Sequence, residues 1–192
     1  METKHSVGAM IKGALIGTLT GTGEVGSAAV DAVRKVLVTA IHGAADVTEE
    51  LTRSAGEVAG TAVQTAAQVG ADVTGAVSST TRGVIHAAND VGGDIGGTAR
   101  AAARGAIQGA NEVGSDLGQT AVGVVRGTIA ATAHVSGDVS AAAEQAVRGV
   151  LEGARGISEE AVKTVSSALE TGVSESKELV RSALEKHGNK PA

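Results

Sequence analysis

Two histidine–carboxylate pairs stand four residues apart, His42 with Asp46 and His86 with Asp90, and the second pair follows the first by 44 residues. On a helix, side chains at i and i+4 meet, so each pair could orient a metal ion. Two ligands fall short of a metal site, and the pairs read as surface histidines. A second candidate is Gly21-Thr22-Gly23-Glu24-Val25-Gly26, which matches G-x-G-x-x-G, with Asp46 lying 20 residues beyond Gly26. Phosphate binding by such a loop needs a preceding strand, and none is indicated. The acidic neighbours Asp46 with Glu50, Asp90 with Asp94, and Glu112 with Asp116 offer two carboxylates each, too few for a calcium cage. No Ser, His and acid arrangement recurs. The chemistry therefore points away from an enzyme, and no cofactor, metal or small-molecule substrate is expected.

The elements that carry these residues are written in a 22-residue repeat. One column reads Leu19, Ile41, Val63, Ile85, Ile107, Ile129, Leu151, Val173, and a second reads Val25, Val47, Val69, Val91, Val113, Val135, Ile157, Leu179. Twenty-two residues over six turns is about 3.67 per turn, close to a relaxed α-helix. On that helix, ten phases form an apolar stripe about 130° wide. Between His5 and Asn189 no charged residue enters it. A single inserted residue would rotate the rest by about 100°, so the kept phase predicts one uninterrupted register from Val7 to Glu185. The fold class is all-α: a long Gly/Ala/Val-rich helix, or a central hairpin, packing into a bundle or filament. Residues 1–192 form a single repetitive region, with repeats over about 17–182 and a short disordered tail at 188–192. Gly92, Gly93, Gly96 and Gly97 mark 92–97 as the place for a turn.

Composition makes the lone helix weak. The chain of 192 residues has 28 Gly and no Phe, Tyr, Trp or Cys, and each Gly costs about 0.8 to 1 kcal/mol relative to Ala inside a helix. Stability must come from packing. The net charge of −5, without a basic stripe or stacking aromatics, argues against nucleic acid. No transmembrane helix or signal peptide is read, which leaves the cytoplasm as the default location.

Two sets of columns suggest how such helices would meet. Gly83, Gly105, Gly127 and Gly149 recur at the repeat spacing, and Gly105 with Gly109 forms a small-xxx-small pair of the kind that lets backbones approach closely. Arg82, Arg104, Arg126 and Arg148 precede those glycines, while Glu50, Asp72, Asp94, Asp116, Asp138 and Glu160 form an acidic column. Within one helix the two charged columns cannot pair well; between helices they could form ladders. The expected assembly interface comprises Gly83, Gly105, Gly109, Gly127, Gly149, Ile85, Ile107, Ile129, Val91, Val113, Val135, Arg82, Arg104, Arg126, Arg148, Asp94, Asp116 and Asp138.

In its hendecad-type spacing, its Val, Ala, Gly and Thr face and its lack of aromatics, the chain resembles late-embryogenesis-abundant proteins and synuclein-like lipid-surface helices. The similarity covers most of the chain in period and composition, and no functional residues follow from it. The expected function is that of a structural protein whose partner is itself, as a homo-oligomer or filament. The alternative is a peripheral coat on a lipid or polymer-granule surface.

Overall fold

The computed structural model describes Gly13 and residues 25–42, 46–135 and 137–173. Among them are seven helices and no strand: α1 (Val25–Ile41), α2 (Val47–Gln68), α3 (Val73–Asp90), α4 (Ile95–Glu112), α5 (Leu117–His134), α6 (Val139–Arg155) and α7 (Glu159–Gly172). The all-α class stands, but the single long helix gives way to one helix per repeat. Expectations for Leu19, Gly17, Gly21 and the tail 188–192 lie outside the described residues.

A four-residue turn ends each of α2, α3 and α4. Gly70, Gly92 and Gly114 sit at φ +68°, +66° and +66°, the left-handed region that L side chains avoid. The next amide reaches back over the helix end: Ala71 N to Ala66 O at 2.9 Å, Gly93 N to Ala88 O at 2.8 Å, Ser115 N to Ala110 O at 2.9 Å. This is a Schellman ending. An Asp then opens the following helix. Asp72 accepts from Thr74 N at 3.0 Å and Gly75 N at 3.1 Å, Asp116 from Gln119 N at 2.9 Å, and Asp138 from Ala141 N at 2.9 Å. The caps Asp72, Asp94, Asp116 and Asp138 are thus 22 residues apart, and phase survives the turns because the turns have equal length. The turn at 91–94, which overlaps the 92–97 region, is one of a series.

Helices two places apart along the chain lie side by side and parallel. The most extensive contacts are α1 with α3, α3 with α5, α2 with α4, and α4 with α6. Two layers result, with α1, α3, α5 and α7 in one and α2, α4 and α6 in the other. The apolar stripe lies between them. Ile41, Val63, Ile85, Ile107 and Leu151 are each at most 2% exposed, and burial of such a side chain contributes about 1.5–3 kcal/mol. Ile129 is only partly buried against this core.

Candidate functional site

The Gly column is a close-packing surface, and it is used within the chain. A Cβ at Gly83 would lie 2.7 Å from Val30 O, at Gly127 2.6 Å from Ser78 O, and at Gly109 2.6 Å from Gly60 O. At Gly105 and Gly149 it would overlap Gly56 O and Arg100 O. In each case the neighbour is the parallel helix of the same layer. Gly56 and Gly60 were not singled out in the sequence, although they repeat on α2 the spacing of Gly105 and Gly109 on α4.

The second apolar column lies at the turns. Val91, Val113 and Val135 are the C-caps of α3, α4 and α5, and all three pack partly buried against the core. The equivalent Val69 is 41% exposed.

Among the described residues the charged columns form no ladder between helices of the chain. Asp94, Asp116 and Asp138 stand at helix N-caps, where a carboxylate satisfies amides and meets the positive end of the helix dipole. Asp94 alone of the three makes no side-chain capping bond. Arg126 donates from Nη2 to Gly172 O at 2.7 Å, at the C-terminus of α7, and Arg148 pairs with Glu144 at 2.6 Å on its own helix. Arg82 and Arg104 make no ion pair among the described residues. Same-layer helices are joined instead by Arg34 with Asp90 (Nη2 to Oδ1 3.0 Å) and by Arg100 with Glu152 (Nε to Oε2 3.0 Å). A continuous-helix reading could not find these pairs, because they need the chain to fold back.

The histidine pairs dissolve in the same way. Asp46 caps α2 through Glu49 N at 3.0 Å, and His42 Nδ1 lies 2.9 Å from Val38 O. Asp90 is held by Arg34, while His86 is half-buried beside it. Burial, and after it the charges of Arg34 and Arg82, hold the His86 imidazole below its usual pKa. Among the described residues no three His, Cys, Asp or Glu come together as a metal site. Residues 21–24 of the glycine-rich match lie outside the described residues, and Val25 and Gly26 open α1.

Among the surface clefts of the described residues, beside ones of about 670 Å³ between α4 and α6 and about 490 Å³ between α5 and α7, is a groove of about 620 Å³ between α2 and α4. Gly56, Gly60, Gly105 and Gly109 form its floor. On the α2 side Arg53 is paired with Glu50 and, at 2.8 Å, with Glu57. On the α4 side stand Arg104, Gln108 and Glu112, the last accepting from Gln64 across the groove.

No protein-family model and no curated protein sequence matches the chain. Among solved structures it is similar to the crystal structure of a de novo designed helical repeat protein, at 14% identity over 97% of each chain, with a TM-score of 0.49.

Proposed function

We propose that this chain is a structural, non-catalytic protein, a layered helical array that self-associates into a bundle or filament. One observation supports this reading above others: the side chains that could have done chemistry hold the array together. Asp46, Asp72, Asp116 and Asp138 cap helices, and Asp90, Arg34, Arg100 and Glu152 join neighbours. The interior between the layers is filled by Ala, Val, Leu, Ile and Thr. What faces outward is a set of long helix surfaces with open grooves. The stripe on which a lipid coat would rest is buried, and no helix among the described residues is long and apolar enough to cross a membrane.

Sedimentation and circular dichroism on the same samples over about a hundredfold dilution test the proposal. Mass should fall towards that of the monomer while helicity stays constant, because the helices are stabilised inside each chain. Monomeric mass at every concentration would contradict self-association.

A further inference from the structure

We infer that a second copy of this chain docks antiparallel in the α2/α4 groove, α4 against α4 about a two-fold axis at Gln108, so that Arg104 of each copy meets Glu112 of the other. The inference rests on the self-association reading and places its interface.

Two positions within the repeat set this groove apart from the cleft between α4 and α6. Between α4 and α6 the corresponding space is crossed by Arg100 and Glu152. Forty-four residues earlier, between α2 and α4, the same two places hold Gly56 and Gln108. A backbone floor and a neutral amide replace the ion pair, and the cleft of about 620 Å³ is left unbridged at that point.

The charges bordering it are self-complementary in one orientation only. Arg104, Gln108 and Glu112 follow one another at i, i+4 and i+8 along α4, so cation and anion lie about 12 Å apart on either side of the amide. Two copies laid parallel in register place Arg104 against Arg104. Laid antiparallel about Gln108, they form two Arg104 to Glu112 pairs, as an isologous interface requires. Arg104 is exposed and makes no ion pair among the described residues, whereas the charge of Arg53 across the groove is already met by Glu50 and Glu57.

Sedimentation of Arg104→Glu and Glu112→Arg, singly, mixed and combined, tests the arrangement. Either change alone sets like charges opposite one another twice per pair of copies, and should weaken association about tenfold or more with helicity unchanged. An equimolar mixture of the two variants restores both contacts, since one copy then carries two acids and the other two bases, and should sediment as a one-to-one pair. The combined variant should also associate as the parent does. Parent-like association of both single variants, or no recovery in the mixture, would overturn this interface while leaving self-association standing. A parent chain that is monomeric throughout would overturn both. In the cysteine-free chain, Gln108→Cys should be captured as a covalent dimer by a short bismaleimide far faster than Ala133→Cys, which lies on α5 in the other layer; equal rates would overturn the two-fold axis.

Discussion

A Cβ at Gly105 would overlap the carbonyl oxygen of Gly56, because α2 and α4 meet backbone to backbone there. Glycine is the only residue that allows this approach, and its cost in helix propensity is offset by the dispersion contacts of two closely packed helices.

Gly105→Ala should therefore destabilise the chain even though it raises helix propensity by about 0.8 to 1 kcal/mol. Overpacking of this kind costs about 1–3 kcal/mol, so the net effect is a loss. Gly96→Ala is the contrast: its Cβ would meet the flexible Gln145 side chain at 3.3 Å, and that variant should be neutral or more stable. Urea unfolding of the two variants checks the sign of each.

The turns predict where the chain tolerates insertion. One Ala between Gly92 and Gly93 disturbs a Schellman ending and should cost about 1 kcal/mol. One Ala after Arg104 rotates the rest of α4 by about 100°, which takes Ile107 out of the core and should abolish cooperative unfolding. Thermal melts of the two insertions should differ in kind; equal tolerance would argue against a helix boundary at 91–94.

Capping separates Asp72 from Asp94. Asp72 accepts two amide hydrogen bonds and Asp94 none. Asp72→Ala should lower stability by about 1 kcal/mol, and Asp94→Ala by measurably less. Were the acidic column a ladder with Arg82 and Arg104, the two losses would be alike.

His86 gives stability a pH dependence of known sign. Its folded pKa lies below the unfolded value of about 6.5, chiefly through burial and then through Arg34 and Arg82. The unfolded chain therefore binds the proton first as pH falls, and the stabilisation present above about 6.5 is lost on acidification through that value towards the folded pKa. The difference in melting temperature between the parent and His86→Gln should change between about pH 7.5 and 5. A constant difference would show that the imidazole is solvated.

The burial pattern was legible from residue spacing alone: Ile85, Ile107 and Leu151 are core, and Gly83, Gly127 and Gly149 are close contacts. Chain path was not legible, because a repeat whose turns have constant length preserves helical phase as well as an unbroken helix does. Asp90 with Asp94 and Glu112 with Asp116 stand at i,i+4 spacing, yet each couple straddles a turn. The overlooked signal was Val-Gly-x-Asp, a left-handed glycine after one helix followed by the N-cap of the next. Arg34 with Asp90 and Arg100 with Glu152 depend on which helices become neighbours, and spacing within one helix carries no information on that.

Small-angle X-ray scattering of the monomer at high dilution tests the layered fold most directly. Helices folded back at every repeat give a radius of gyration of roughly 16–20 Å. A continuous helix over some 180 residues would reach about 270 Å, with a radius of gyration near roughly 80 Å. A value in the lower range is expected, and one approaching the rod would contradict the account.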